Sequence, residues 1–219
     1  VARTDCDRVM PAGRGIGTQP MFLAPAGAIV DVILSAGPYS VDENAGDGSA
    51  ENPYQIATAG QLDALADHPD LWDDCFVLVD DIDLSGRIFS RALIAPDETE
   101  LTSGVQGTPF AGRFDGAGHT ISHLTITSPS NDYLGLFGSI GAGAHVMNLR
   151  LVEVRIVAGY SGDYAGPVAG DLQGTLTGCY AEGIVCASLY GGELVGRNEG
   201  TLSDCSSNVL IVTSTGRRR

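Results

Sequence analysis

The sequence predicts an all-β fold, a parallel β-helix, and three observations support this prediction. The 219 residues include 30 glycines, a share typical of chains with many tight turns and short strands. Residues 110–212 contain no stretch that would supply helices between strands, which excludes a βα alternation. The same region repeats: TLTGCYAEGIV at 175–185 corresponds to TLSDCSSNVLI at 201–211, 26 residues later. A fixed period of this length is typical of a solenoid.

Other segments extend the repeat of about 26 residues across 110–212. YAGPVAG at 164–170 and YGGELVG at 190–196 have the same offset, and the looser pair TISHLTI (120–126) and HVMNLRL (145–151) has an offset of 25. Stacked coils pair each strand with its counterpart one coil away. The alignment therefore predicts two buried columns, one of Ile121, Val146, Leu176 and Leu202 and one of Leu124, Leu149, Cys179 and Cys205, with Ile126 and Leu151 extending the second.

Two of these column residues are cysteines, and their state is left open. Cys179 and Cys205 fit the column as small apolar groups, and a disulfide between them across adjacent coils is the alternative. The chain has five cysteines, so at least one thiol has no partner within it.

Residues 1–41 are predicted to be an irregular lead-in. They show no periodicity, and their apolar segment 21–34 is interrupted by Pro25 and Asp31. The core of a secretory leader rarely contains an aspartate, so we favour a flexible lead-in that ends in one strand.

Residues 42–109 are predicted to form an acidic N-terminal cap and the first coil. Thr58 and Gln61 have the spacing of a capping box, which predicts a helix near 59–67 that stops before Pro69. FVLVDDIDL at 76–84 reads as one strand, and 95–109 reads as a loop.

The two ends of the predicted solenoid differ. The helix and the acidic strand are expected to cap the first end, because open strand edges need protection. Residues 213–219 read as a tail with three arginines and no capping pattern. We therefore expect the chain to be part of a longer repeat array.

Charge limits the classes of partner. The formal net charge is −15, and residues 42–100 hold 15 of the 27 acidic side chains against two arginines. Such a surface excludes a nucleic-acid footprint and disfavours an anionic membrane surface. No run of 18 apolar residues occurs, so the sequence predicts no membrane-spanning helix.

Three phrases carry a resemblance to a known family. GTPFAGRFDGAGHTISHLTI (107–126), LGLFGSI (134–140) and GGELVGRNEGTLSDC (191–205) resemble GLUG-motif repeat proteins. In that family a Gly-Leu-Val-Gly core precedes an Asn-x-Gly-x-Ile-x-Asn-Cys run. Leu194-Val195-Gly196, Asn198 and the segment 200–205 match it, with Asp204 in the second Asn place. The copy at 165–179 departs from the pattern at Pro167, Ala169 and Asp171.

The resemblance runs from residue 47 to residue 212 and includes ENPYQIATAGQLDALA at 51–66, which is similar to the segment found before such repeats. It implies a right-handed parallel β-helix belonging to large bacterial extracellular or cell-surface proteins. It implies no established catalytic residues, so none are carried over.

Three tyrosines give the best candidate binding site. Tyr133, Tyr164 and Tyr190 occupy matching places in three coils, which predicts an aromatic ladder. Such a ladder can stack on sugar rings, or it can be structural and pack the turns against one another. Both interpretations stay open at this point.

The densest carboxylate cluster gives the best candidate metal site. Asp80, Asp81 and Asp83 follow one another along the predicted strand, with Asp81 and Asp83 on the same face. Clustered oxygens suit a hard cation such as Ca²⁺. The alternative is a solvated strand edge that blocks aggregation. No other cofactor is predicted.

Asp115 and three histidines are the remaining candidates. Asp115 is either half of a carboxylate pair for glycoside hydrolysis or a turn residue before Gly116. His119, His123 and His145 are either a metal or base cluster or exposed strand residues.

These observations together predict a non-catalytic extracellular or cell-surface repeat module with an adhesive or structural role, possible polysaccharide contacts and no nucleic-acid partner. One alternative is a carbohydrate-active β-helix enzyme, either a polysaccharide lyase or a glycoside hydrolase. It predicts a groove in which Asp115 or Asp81 faces an arginine or histidine. The other alternative is a repeat segment of a larger surface peptidase.

Overall fold

The computed structural model describes residues 46–98, 104–159 and 164–213. The predicted lead-in, 1–41, and most of the predicted tail lie outside these ranges. The helical elements are α1 (Ala59–Ala66) and a short 3-10 helix (Pro69–Leu71). The strands are β1 (Tyr54–Ile56), β2 (Cys75–Leu78), β3 (Ile82–Asp83), β4 (Arg113–Asp115), β5 (Thr120–Ser122), β6 (Thr125–Thr127), β7 (Tyr133–Leu134), β8 (Phe137–Ile140), β9 (His145–Met147), β10 (Arg150–Val157), β11 (Tyr164–Ala165), β12 (Ala169–Leu172), β13 (Thr175–Thr177), β14 (Tyr180–Ala187), β15 (Tyr190–Gly191), β16 (Val195–Asn198), β17 (Thr201–Ser203) and β18 (Ser206–Thr213).

The strands form a parallel β-solenoid of about three turns, as predicted. Four sheets run along it, ordered β1-β2-β4-β9-β13-β17, β18-β14-β10-β5-β3, β15-β11-β7 and β16-β12-β8, and β6 also pairs with β10. We call them sheets A, B, D and C in that order. From β4 onward the chain passes through A, B, D and C in each coil, and every pairing is parallel, so each strand bonds to its counterpart one coil away.

The helix forms where the capping box predicts it. The Thr58 hydroxyl accepts from the Gln61 backbone N–H, and the Gln61 side chain accepts from the Thr58 backbone N–H. This exchange satisfies two of the donors that a helix start leaves unpaired. Leu62 and Leu65 are fully buried and attach the helix to the core. Among the described helices, none is both long and apolar enough to cross a membrane.

The prediction of a single strand over 76–84 is wrong. The segment divides into β2 in sheet A and β3 in sheet B, with a corner over residues 79–81. At that corner the Asp80 carboxylate accepts the Asp81 backbone N–H, a local bond that favours turns over strands. The apolar residues on both sides are core residues of two different sheets.

Both predicted columns are partly wrong, because the looser repeat was aligned at the wrong offset. Val146 stacks on Phe114 and Leu176 stacks on Val146, with Leu202 next, whereas Ile121 stacks on Leu151 in sheet B. Ile126 stacks on Ile156, and the carbonyl of Leu124 accepts from Arg155, which places Leu124 beside Val154. The stretch Leu149, Cys179 and Cys205 is consistent with the observed register.

The 26-residue period holds between the last coils and lengthens earlier. Tyr180 pairs with Ser206, 26 residues later, but Arg150 pairs with Tyr180, 30 residues later. Among the described residues, the connection 141–144 before β9 is two residues longer than its counterpart 173–174 before β13, and more residues separate β10 from β11 than separate β14 from β15. Connections outside the sheets tolerate such insertions without changing strand register.

The Asn-Cys part of the motif has a backbone explanation. Asn148, Gly178 and Asp204 occupy the corner between sheets A and B in three successive coils, with φ of 51°, 63° and 54°. Among residues, Gly, Asn and Asp adopt this left-handed conformation most readily. The repeat therefore varies among these three types at this position.

The final glycine of the Gly-Leu-Val-Gly part has a steric explanation. A Cβ at Gly138, Gly170 or Gly196 would lie 2.3 Å, 2.5 Å and 2.4 Å, respectively, from backbone atoms of the preceding coil. At Gly170 and Gly196 those atoms belong to Tyr133 and Tyr164. The glycines thus let the tyrosine-bearing strands pack directly on sheet C.

Candidate functional site

The predicted tyrosine ladder forms along sheet D. Tyr164 pairs in register with Tyr133 on one side and with Tyr190 on the other. The ring centroids are 5.2 Å apart for Tyr133 and Tyr164 and 4.7 Å apart for Tyr164 and Tyr190, with interplanar angles of 12° and 6°. The three rings are therefore stacked face to face along the solenoid axis.

This stacking determines which ring faces a ligand can reach. Tyr133 is buried and Tyr190 is 51% exposed, and Tyr164 has a tyrosine on each face. Burial raises the pKa of Tyr133. A sugar ring stacks on an aromatic face, so within the ladder only the outer face of Tyr190 is available for such a contact. Sugar binding by the ladder stays a prediction, restricted to that end.

A polar ladder lies next to the tyrosines and was not predicted. Ser139, Asp171 and Arg197 occupy one register position in three successive strands of sheet C. The Asp171 carboxylate is fully buried, and it accepts from Arg197 Nε at 2.6 Å and from Gln173 Nε2 at 3.1 Å. The Ser139 hydroxyl lies 3.4 Å away. The carboxylate is thus held by donors on three sides.

The Arg197 guanidinium connects the two ladders. Its carbon lies 5.8 Å from the Tyr133 centroid and 5.9 Å from the Tyr164 centroid. Because it is equally distant from two stacked rings, it lies beside the stack and not over either face. The hydrogen bond to Asp171 raises the pKa of Arg197, so the guanidinium stays charged at neutral pH.

The sequence contains a signal for this pair. YAGPVAGD and YGGELVGR, 26 residues apart, place Asp171 and Arg197 at equivalent positions. Opposite charges at equivalent positions of stacked coils lie one strand apart. The offset that aligns Tyr164 with Tyr190 therefore also aligns Asp171 with Arg197.

The predicted calcium site is not assembled as a cation cage. Asp80 accepts the Asp81 N–H at 2.8 Å, Asp81 accepts the Thr120 N–H at 2.8 Å, and Asp83 accepts from the Ser85 N–H and hydroxyl. These bonds to Ser85 lower the pKa of Asp83. Within the ranges that the structure describes, no group of three or more His, Cys, Asp or Glu side chains is placed to hold a metal ion. Calcium binding therefore has no geometric support here.

The three histidines do not form one cluster. His145 lies in sheet A and contacts the Thr177 hydroxyl at 3.0 Å. His123 follows β5 of sheet B, with Nδ1 2.7 Å from Asp83 and Nε2 against Glu153. His119 Nδ1 is 3.4 Å from Asp81. Each imidazole is used in a separate contact, so no shared metal or base site results.

Asp115 is a turn residue. Its Oδ1 accepts the Ala117 backbone N–H at 2.9 Å and the Asn148 side-chain amide at 3.0 Å. The Arg113 guanidinium lies 3.6 Å from the other oxygen. The first bond is the Asp-Gly turn that the sequence predicted as one interpretation, and the second joins two coils.

The cysteine column contains thiols. Cys179 and Cys205 are both free, so the disulfide considered between them is not present. Burial raises the pKa of the Cys179 thiol to about 12. Its Sγ lies 3.5 Å from the Thr177 carbonyl oxygen and 3.8 Å from that of Val146, and it behaves as a buried packing group.

One groove lies apart from all of these residues. It has a volume of about 540 Å³ and runs between α1 and residues 87–93. Arg87 within it is paired with Asp63. None of the tyrosines, aspartates or histidines predicted as site residues lines it.

Comparisons with known proteins give relatives that are much longer than this chain. No family model matches the sequence. The chain is 30% identical over 178 residues to halomucin of Haloquadratum walsbyi, a match that covers 77% of this chain and 2% of halomucin. It is 36% identical over 107 residues to a proposed Gly-rich membrane protein of Evansella cellulosilytica, covering 48% of this chain and 12% of that protein.

A solved structure supports the fold alone. A proposed immunoglobulin A1 protease from Bacteroides ovatus superposes with a TM-score of 0.54 at 19% sequence identity. The match covers 75% of this chain and 49% of that chain. It therefore corresponds to about half of a larger molecule.

Proposed function

We propose that this chain is a non-catalytic repeat module of a larger extracellular or cell-surface protein, with an adhesive or structural role. The observation that carries the proposal is the use of the ionisable side chains predicted as site residues. Asp81, Asp83, Asp115 and His123 each bond to protein groups within the stack. General acid–base catalysis needs such groups to converge on a shared space for substrate.

The comparisons support the same proposal. Both sequence relatives are far longer than their matched regions, as expected for a module repeated or embedded in a long chain. One is described as a membrane protein, and the structural neighbour is described as a protease of an immunoglobulin. A cell-surface location agrees with these descriptions and with the resemblance to GLUG-motif repeats.

The carbohydrate-active alternative has only part of its predicted geometry, because Arg113 lies 3.6 Å from Asp115 and His119 Nδ1 lies 3.4 Å from Asp81, but neither carboxylate lines the groove beside α1. It requires Asp115 or Asp81 in a groove facing an arginine or histidine. Asp115 is bound to Ala117 and Asn148 at a coil corner, and Asp81 is exposed and bonded to Thr120. Neither residue lines the groove beside α1.

The test is turnover of polymers by the whole chain. We would measure new reducing ends from neutral and acidic polysaccharides, with and without Ca²⁺, and new amino termini from a peptide library. The proposal expects none above the level of a heat-denatured sample. Any turnover that Asp115→Asn or His123→Gln abolishes, while the circular dichroism spectrum stays unchanged, would make the chain an enzyme and refute it.

A further inference from the structure

Cys186 lies on the outer face of sheet B and is nevertheless covered. Val185 and Ala187, on either side of it in β14, belong to the hydrophobic core, so the alternation of side chains along a strand turns Cys186 outward. Its in-register neighbour in β10 is Val157, which also has a strand on each side and is partly exposed. Cys186 is only 5% exposed. A group from outside these strands therefore covers it.

The bonding state of the cysteines identifies the covering group. Cys186 is disulfide-bonded, whereas Cys75, Cys179 and Cys205 are free thiols. The chain has five cysteines, so Cys6 is the only partner left for Cys186 within one chain. Cys6 lies 40 residues before Gly46, the first described residue. A segment of that length can extend to about 130 Å, far more than the height of a few coils stacked about 4.8 Å apart.

A second outward side chain on the same face is covered as well. Arg155 of β10 points outward, because Val154 and Ile156 on either side of it belong to the core. Its in-register neighbour in β14 is Ile184, two residues before Cys186. The Arg155 Nη2 atom is buried and has no hydrogen-bond partner among the described residues. A buried guanidinium donor needs an acceptor, and a carboxylate forms the strongest such bond.

We propose that Cys186 and Arg155 form an anchor site that binds the N-terminal segment Asp5-Cys6-Asp7 to the outer face of sheet B. A disulfide joins Cys6 to Cys186. The carboxylates of Asp5 and Asp7 flank Cys6 directly in the sequence, so the bond brings them close to the guanidinium of Arg155. One of these carboxylates accepts from the buried Nη2 atom. The partner of this face is therefore a segment of the same chain with a thiol between two acids.

The bond forms by thiol–disulfide exchange with a small disulfide such as glutathione disulfide. The Cys6 thiolate attacks the oxidant and releases one glutathione, and the Cys186 thiolate then attacks the mixed disulfide on Cys6 and releases the second. The two protein thiols lose two electrons and two protons, and glutathione disulfide takes them up. Disulfides of this kind persist in extracellular and other oxidising compartments, which agrees with the surface location proposed above.

The first test maps the bond in the whole chain after equilibration with glutathione disulfide. The chain is denatured in urea with iodoacetamide, which blocks free thiols, and is digested with trypsin, which cuts here only after arginine because the chain has no lysine. We expect peptide 4–8, which contains Cys6, to be linked to peptide 156–197 and to be released by reductant. Peptide 156–197 also contains Cys179, so the Cys179→Ser chain is digested in parallel and should keep the link.

The second test is the urea midpoint of unfolding, measured with and without reductant. A bond that closes the chain between residues 6 and 186 constrains the unfolded state, so reduction should lower the midpoint of the unsubstituted chain. Cys6→Ser and Cys186→Ser should each abolish this effect of the reductant. Cys6→Ser leaves every described residue unchanged, so it remains informative if Cys186→Ser does not fold. Cys75→Ser is the matched control: it removes a free thiol and should keep the effect.

The third test addresses Arg155. At a fixed ratio of glutathione to glutathione disulfide, Arg155→Met should lower the ratio of bonded to reduced chains about threefold, the size expected for loss of one partly exposed ion pair. Asp5→Asn and Asp7→Asn combined in one chain should lower that ratio by a similar factor, and adding Arg155→Met to them should lower it no further. Arg150→Met is the matched control, because Arg150 stacks on Tyr180 in the same sheet, and it should leave the ratio unchanged.

Three results would overturn this inference: alkylation of Cys6 as a free thiol in the equilibrated chain, a bond from Cys186 to any other cysteine, including Cys6 of a second chain in a covalent dimer, or a ratio of bonded to reduced chains that Arg155→Met leaves unchanged. The inference goes beyond the proposed function by assigning a covalent anchor site. The two fail separately, because turnover of a polymer would refute the proposed function and leave the peptide map unaffected.

Discussion

Removal of Arg197 gives the sharpest test of the polar ladder. Arg197→Met keeps most of the side-chain length but leaves the Asp171 carboxylate, 0% exposed, without its cation. Breaking a buried pair by removing one partner typically costs about 3–5 kcal/mol. Here Gln173 and Ser139 remain as donors, and the Arg197 side chain is 29% exposed, so water can reach part of the site. We therefore expect a loss of about 2 kcal/mol in the free energy of unfolding.

The assay is urea unfolding monitored by circular dichroism, for four chains of a double-mutant cycle. Asp171→Asn keeps the shape of the side chain and removes its charge. In that background Arg197→Met should cost at least about 1 kcal/mol less than in the natural chain, because no buried charge is left behind. Arg150→Met is the control, since Arg150 is exposed and stacks on Tyr180 on the outer surface. Equal costs of Arg197→Met in both backgrounds would refute the reasoning.

Three further predictions concern packing, reactivity and pH. Gly170→Ala places a Cβ 2.5 Å from the Tyr133 backbone and should destabilise the fold by about 2 kcal/mol or more. Gly60→Ala in α1, where the Cβ would make an ordinary contact with the Thr58 hydroxyl at 3.9 Å, should stabilise the fold by about 0.5–1 kcal/mol. Thermal unfolding of both variants checks this, and equal shifts in the midpoint would contradict it. Burial raises the pKa of Cys179 to about 12. In the folded chain Cys179 should therefore react with iodoacetamide at pH 8 far more slowly than the partly exposed Cys205. Mass spectrometry of the alkylated peptides measures both rates, and faster alkylation of Cys179 would contradict the prediction. Hydrogen bonds from Ser85 lower the pKa of Asp83. The stabilisation of the fold by the Asp83 carboxylate is therefore present above the pKa of the unfolded carboxyl, about 3.9, and is lost as the pH falls below that value. Asp83→Asn should reduce the difference in unfolding free energy between pH 6 and pH 3, and an unchanged difference would count against the Ser85 bonds.

The features that local sequence determines were predictable. The capping box at Thr58 and Gln61 specifies the start of α1 through bonds within four residues. The tyrosine ladder was predictable because Tyr164 and Tyr190 are separated by the same 26 residues as the clearest repeat. In both cases the side chains that form the contacts are the same residues whose spacing predicted them.

The features that depend on connections between coils were not predictable. An offset of 25 aligned Ile121 with Val146, whereas the sheets pair Ile121 with Leu151, because the connections outside the sheets vary in length. The strand over 76–84 was predicted as continuous because apolar residues flank Asp80 and Asp81 on both sides, and only the neighbouring coils show that these residues form a corner. Repeat period alone therefore cannot fix register where loops change length.

The candidate site was predicted in part. The sequence placed the three tyrosines in one row but did not show how their rings are oriented. The observed face-to-face stacking restricts sugar contacts to Tyr190. The buried Asp171 was not predicted, since a carboxylate within an apolar run normally reads as exposed. Its partner lies one coil away, and the interaction exists only when the two strands are stacked.

The central claim is that the middle coils form one cooperative stack. Native-state hydrogen exchange over β9, β10, β13 and β14 tests it most directly, because these strands have a bonded neighbour on both sides. We expect their amides to exchange together, with the free energy of global unfolding. Exchange in minutes at these strands, or separate opening of β10 and β14, would contradict it.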